Sequence, residues 1–181
     1  MTEVNTASAT MRLIEFDDLQ LVRYWRNLDH VRKRMVMKNL IGRDGQREWY
    51  DGIDSDTDHY FIYSLGTRDI GCVNLKSISV DERTFEGGIF CGDAQYLSHW
   101  VNIWACLRMY DYGFFELNLD TSYATILADN KAALNLNKSL GYEFIEHADV
   151  NVGRYALSRR QYEGNSERIR RYLHSFVQQS I

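Results

Sequence analysis

Few residues in this chain have the type and spacing to do chemistry, and their arrangement excludes much. The five His residues (30, 59, 99, 147 and 174) form no HxH, HExxH or Cys/His pattern, so no metal site is expected. There is no GxSxG elbow, no GxxxxGK[ST] loop and no GxGxxG fingerprint, which argues against a serine hydrolase, a P-loop enzyme and a Rossmann dinucleotide site. Cys72, Cys91 and Cys106 are scattered and odd in number. They predict no disulfide framework, and a reducing cytoplasm is the expected compartment. Cys91 reads as a small buried hydrophobe. The carboxylates Glu86 and Asp93 bracket Gly87 and Gly88, which sit inside a strand-like run. A double glycine there predicts a bulge or the close approach of a ligand.

Those residues need elements to hold them. Met11–Phe16 reads as a strand, and Asp17 or Asp18 caps a helix with Leu21, Val22, Trp25 and Leu28 on one face. Short helices are expected over His30–Lys38 and Gln46–Ile53. Tyr60–Leu65, Ile70–Ser79 and Thr84–Cys91 are strands of a hairpin meander. Trp100, Ile103, Trp104, Leu107 and Phe114 fall at helical spacing and predict one long buried helix over 98–115. Asn118–Leu127 is a strand. The next helix, capped by Asp129, buries Ala132, Ala133, Leu136 and Leu140 and stops at Gly141. Strands follow over Tyr142–His147 and Val150–Ser158. An amphipathic helix over Ser166–Gln179 presents Ile169, Tyr172, Leu173, Phe176 and Val177. A meander followed by crossover helices implies an α/β fold, a mixed sheet with helices on both faces.

The 181 residues suit a single domain. The expected organisation is a tail over 1–10, a core domain over 11–158 and a helical extension over 159–181. With 21 basic and 25 acidic side chains the net charge is −4, which argues against nucleic acid as a partner despite the basic runs at 32–34 and 168–171. No apolar run approaches a membrane span, and MTEVNTASAT lacks the character of a secretory signal.

The stretch DNKAALNLNKSLGYEFIE (129–146) resembles the GNAT superfamily of acyl-CoA-dependent N-acyltransferases, through Asn130, Ala133, Leu136, Leu140, Gly141 and Tyr142. The helix end MYDYGFFEL (109–117) is similar to that family's, and residues 11–158 follow its element order. LVRYWRNLDHVRKRM (21–35) resembles the W-R-N…V-R…M segment of amino-sugar acetyltransferases of nonulosonic-acid pathways, and more loosely that of ribosomal-protein N-terminal acetyltransferases. The resemblance implies a GNAT-like, mostly antiparallel central sheet and acetyl-CoA, or another acyl-CoA, as co-substrate. It also implies a small-molecule amine acceptor such as a nucleotide-linked amino sugar.

Two departures from the family pattern matter. Where the family has R/Q-x-x-G-x-G/A, this chain has Leu97, Ser98, His99, Trp100, Val101 and Asn102. Both glycines that let backbone N–H groups approach a diphosphate are absent. Either the acyl-CoA site is remodelled, with Ser98, His99, Asn102 or Lys138 supplying side-chain contacts, or the site accepts another ligand. Asn137 stands where many members have a Tyr that protonates the leaving thiolate.

The resemblance carries site roles onto further residues. Glu86, then Asp93, is the expected base for the amine. Ile89, Phe90 and Cys91 would border the pantetheine arm like an added strand, with Asn130, Ala133, Asn137 and Lys138 beside the cofactor. The acceptor side is expected at Trp25, Arg26, Asn27, Arg32, Trp49 and Tyr50, with the arginines facing an anionic group and an aromatic ring stacking on a base or sugar. The other readings are a non-catalytic GNAT-like binding module, and an acyltransferase that uses an acyl carrier protein or a protein or peptide amine. The C-terminal helix either packs on the sheet or pairs with a second copy.

Overall fold

The computed structural model describes residues 9–178, without the side chains of Phe176 and Gln178. The tail expected over 1–10 therefore lies almost wholly outside the described residues, as does the side chain of Phe176. Seven strands form one sheet: β1 (Ala9–Leu13), β2 (His59–Leu65), β3 (Arg68–Ser79), β4 (Thr84–Cys91), β5 (Thr121–Leu127), β6 (Glu143–Asp149) and β7 (Val152–Ser158). Their order is β1-β2-β3-β4-β5-β7-β6. Every neighbouring pair is antiparallel except β4 and β5, which run parallel. That pair is short. Thr84–Glu86 meets Thr121–Tyr123 and the pairing ends there. Beyond Glu86 the strands part, and Gly87–Cys91 pairs only with β3.

The helices are α1 (Leu19–Asn27), α2 (Asp29–Arg32), α3 (Arg43–Asp51), α4 (Trp100–Asp111), α5 (Lys131–Leu140) and α6 (Arg159–Gln178). Side chains alternate across a strand, so β2–β4 offer two apolar faces. Phe61, Tyr63, Val73, Leu75 and Phe85 pack with Val101, Ala105 and Met109 of α4, and Tyr162 and Leu173 of α6 close that layer. Ile62 and Cys72 point the other way and pack against Val22 and Trp25 of α1. The Val, Leu, Ile, Phe and Met side chains among these contribute about 1.5–3 kcal/mol each when fully buried. The mixed sheet with helices on both faces is therefore observed.

Several expected boundaries shift for local reasons. β1 ends at Leu13, because Phe16–Asp18 forms a 3-10 turn. Asp18 occupies the position before α1, but its carboxylate does not cap that helix. It accepts two hydrogen bonds from Arg12, at 2.6 and 2.7 Å, and one from the Glu15 N–H. α2 stops at Arg32 rather than Lys38, since the following chain turns so that Arg32 reaches the Lys38 carbonyl. α3 begins at Arg43, so Asp44 and Gly45, expected in a loop, lie inside it. The double glycine forms no bulge. The β3–β4 register runs unbroken from Glu86 to Cys91, and the irregularity lies between Lys76 and Ser79. The long helix is α-helical to Asp111 and π-helical over Tyr112–Glu116. Its fully buried residues include Val101, Ala105 and Met109, whereas Trp100, Ile103 and Trp104 are half-buried.

β5 starts at Thr121, not Asn118, and β7 at Val152. Asn130, not Asp129, caps α5 by accepting from the Ala133 N–H, and Ala132 is exposed. Gly141 ends α5 at φ +101°, a conformation that excludes most side chains. α6 begins seven residues before its expected start, and its buried Tyr162 hydroxyl donates to the Leu107 carbonyl.

Candidate active site

Where β4 and β5 part, the sheet has an open inner edge. The N–H and C=O groups of Gly87–Cys91 on that side lack a strand partner. The two glycines keep both faces of this segment clear. A Cβ on Gly87 would come within 3.0 Å of Met109 and 3.2 Å of Tyr110, on the α4 face. A Cβ on Gly88 would come within 2.8 Å of Asn74 Oδ1, on the α1 face. The glycine pair is thus required by close approach rather than by a bulge.

The register places several polar and aromatic side chains on the α1 face. Tyr60, Asn74 and Gly88 form one row across β2–β4. Ile62, Cys72 and Phe90 form the next, and Lys76 opposes Glu86 in the row on the other side. Glu86 continues onto Tyr123 of β5 at the last paired position before the strands part. It is half-buried, and no hydrogen bond or ion pair engages it among the described residues. Asp93 differs: Arg68 holds its carboxylate at 2.6 Å, and Asp93 also caps the turn at Gln95. Of the two expected bases, Glu86 is the unengaged one.

On the α4 face behind this point lies a buried hydroxyl cluster. Tyr142 contacts Ser122 Oγ at 2.7 Å and the Tyr110 hydroxyl at 3.0 Å. Burial pushes the Tyr110 and Tyr142 hydroxyls well above the usual phenol range. Ser122 falls in no motif, and the MYDYGFFEL segment that holds Tyr110 marks a helix end rather than a site, so neither hydroxyl is signalled by the sequence.

The start of α4 departs from a bare phosphate cradle. His99 precedes the helix, and its Nδ1 accepts from the Val101 N–H at 3.3 Å. Burial holds the His99 pKa below its usual value, which favours the neutral ring this acceptor role needs. Asn102 is fully committed. Its Nδ2 donates to the carbonyls of Tyr96, Leu97 and His99, and its Oδ1 accepts from the Tyr63 hydroxyl at 2.6 Å. Trp100 is half-buried against the main core, tilted against the His99 ring. Ser98 is exposed and Val101 is fully buried. The turn over 96–102 is thus tied together by Asn102 and capped by His99.

α5 follows β5, with Asn130 as its cap and Ala133, Asn137 and Lys138 along it. Asn137 Nδ2 donates to the Ala133 carbonyl, while Asn137 Oδ1 is buried without a partner. Asn137 and Lys138 also line a hollow of about 300 Å³ with Leu134, Tyr142, Phe144 and Tyr155. A second hollow, about 410 Å³, is lined by Asp120, Ser158, Arg159, Arg160 and Glu163 and contains no candidate residue.

The expected acceptor residues divide in two. Trp25 is core: it is buried against Phe90, and the ring atoms lie 2.2 Å from where a Gly92 Cβ would stand. Asn27 braces the loop before α3 by giving and taking a hydrogen bond with the Ile41 backbone. Arg32 pairs with Asp29 at 2.9 Å and with the Lys38 carbonyl. Tyr50 meets Phe16 edge-on at 6.0 Å. Arg26 and Trp49 do converge on the α1 face. Arg26 lies 5.9 Å from the Phe90 ring centroid, and Trp49 packs edge-on to Tyr60 at 4.9 Å. The loop after α2 also spans toward α5, where Arg34 donates to the Asp129 carbonyl at 3.1 Å.

Residues 9–143 match the family described as Acetyltransferase (GNAT) domain. No curated protein matches the chain. Among solved structures, the fold is similar to that of spermidine N-acetyltransferase from Vibrio cholerae in complex with CoA and spermine. The two share 21% identity at a TM-score of 0.78, over 86% of this chain and 98% of the other. A domain from Methanocaldococcus jannaschii is similar at 19% identity and a TM-score of 0.75, over 83% of this chain and 97% of that one. The Vibrio cholerae enzyme is also known as a dodecamer, to which this chain is similar at 20% identity and a TM-score of 0.72, over 86% and 96% of the two chains.

Proposed function

The chain belongs to the acetyltransferase (GNAT) family of N-acetyltransferases, and on that premise we propose that it transfers acetyl from acetyl-CoA to the primary amine of a small molecule at the opening between β4 and β5. One observation carries this reading: the β4 edge loses its partner directly after Glu86, leaving strand-like backbone groups beside an unengaged carboxylate.

The residues present fit acetyl-CoA in most parts. The open edge of Gly87–Cys91, with Ile89, Phe90 and Cys91, suits an extended pantetheine arm bound as an added strand. The buried Oδ1 of Asn137, without a partner among the described residues, offers an acceptor on α5, which also carries Asn130, Ala133 and Lys138. The start of α4, around Ser98–Asn102, would face the diphosphate through its positive dipole end. His99 and Asn102 already occupy part of that turn, so CoA affinity should be lower than an open glycine loop would give.

Acetyl-CoA supplies an activated acetyl thioester. The chain's own work is to position two reactants and move one proton. An N–H on the open β4 edge stabilises charge at the thioester oxygen. Glu86 accepts the proton of the ammonium, directly or through water. Asn137 has no acidic proton, so the leaving thiolate takes one from solvent. In its finer form the proposal makes the acceptor an amino sugar on a nucleotide carrier, which the W-R-N…V-R…M resemblance of α1–α2 supports. Thiol release from acetyl-CoA tests it with three probes: a UDP-linked amino sugar, spermidine and a peptide with a free N-terminus. Turnover of the first supports the finer reading, turnover of another keeps acetyl transfer and replaces the acceptor, and release with none contradicts the reading.

A further inference from the structure

Two donors on the α1 face have no acceptor among the described residues. Arg26, at the end of α1, is half-buried over Phe90, and no carboxylate pairs with it among the described residues. Asn74, in the adjacent row, has its Nδ2 buried without a hydrogen-bond partner. Arg26 interacts electrostatically with Cys72 and Tyr60, and Tyr60 pairs directly with Asn74 in the sheet. A half-buried cation and a buried amide donor without acceptors are unfavourable unless a ligand completes them. We infer that Arg26 and Asn74 form a subsite for an anionic group, carboxylate or phosphate, carried by the acceptor amine. This rests on the proposed acetyl transfer and specifies its substrate class.

The charges around the subsite agree. Lys76 is a second cation on this face, opposite Glu86. Asp58, the acid near Tyr60, already accepts from the Ser77 N–H. Glu86 is then the unengaged acid available to an ammonium group. A planar guanidinium can bind a carboxylate or phosphate with two parallel hydrogen bonds. Burial lowers the Arg26 pKa because no anion offsets its desolvation, and a bound anion would reverse that. At about 3.3 Å per residue, Glu86 lies about 7 Å from the Asn74–Gly88 row and about 13 Å from the Phe90 row. The acceptor should therefore carry its anion several bonds from its amine. A polyamine would place a second cation beside Arg26.

Three chain-matched probes test this: 6-aminohexanoate, 6-aminohexyl phosphate and 1,6-diaminohexane, each with saturating acetyl-CoA and thiol release as readout. At least one anionic probe should exceed the diamine tenfold or more in kcat/KM, and which one does so separates carboxylate from phosphate. Arg26→Met should abolish that preference by raising KM, with kcat much less affected, and Arg26→Lys should restore part of it. Acetyl-CoA affinity, measured by calorimetry on each variant, should be unchanged, which also shows that the variants are folded. Preference for the diamine, a preference that survives Arg26→Met, or use of none of the probes by a chain that binds acetyl-CoA would overturn the inference. Failure of the wild-type chain to bind acetyl-CoA would instead remove the acetyl-transfer reading beneath it.

Discussion

Glu86 and His99 show how the environment of a residue sets what it can do. Glu86 sits at the last paired position before β4 and β5 separate and has no ion pair among the described residues. Glu86→Gln keeps the size and removes the base. Turnover should fall roughly 10²–10⁴-fold while acetyl-CoA affinity changes little. An unchanged rate would move proton removal to solvent. His99 accepts from Val101 as a neutral ring, and burial depresses its pKa. A base with a depressed folded pKa contributes stability above its ordinary value of 6.5 and loses it as pH falls through the lower folded value. The cap, worth about 1 kcal/mol, should therefore disappear on mild acidification. His99→Asn retains a cap without titrating there. Urea unfolding of both proteins should show the wild type losing stability relative to the variant below pH 6.5 and holding level above it.

At the scale of elements, two contacts hold the opening in shape. Gly92 allows Trp25 of α1 to lie directly on the chain after β4. Gly92→Ala would force the indole away from its core position, and urea denaturation should show a loss of at least about 2 kcal/mol. At the start of α4, Trp100 packs against the main core, so Trp100→Gly should lower stability by about 2–4 kcal/mol rather than open a tighter phosphate loop. An increase in acetyl-CoA affinity at unchanged stability would contradict that packing role. The strands of the meander and α5 were legible because β-branched runs, glycine turns and a helical stripe mark them locally. The short α2 was not, since the chain after Arg32 turns back and a side-chain tie from Arg32 to the Lys38 carbonyl takes the place of the next helical turns. The double glycine was legible as a special place. Its cause, close approach of Met109, Tyr110 and Asn74, depends on partners distant in sequence. Asn74 left no local signal at all, because an orphaned donor exists only once the strands are paired.

For the whole molecule, the central relation is between one short parallel pairing and the chemistry it exposes. The two halves of the sheet, β1–β4 and β5–β7, meet over only Thr84–Glu86 and Thr121–Tyr123. α4 and α6 close the core behind that junction, and α1 covers the opposite face of β2–β4. We propose this parting as the place where acetyl-CoA lies as co-substrate. Calorimetric titration of the wild-type chain with acetyl-CoA tests that claim most directly. A single saturable site with micromolar affinity is the predicted result. No binding up to millimolar acetyl-CoA, by a protein that unfolds cooperatively, would contradict it.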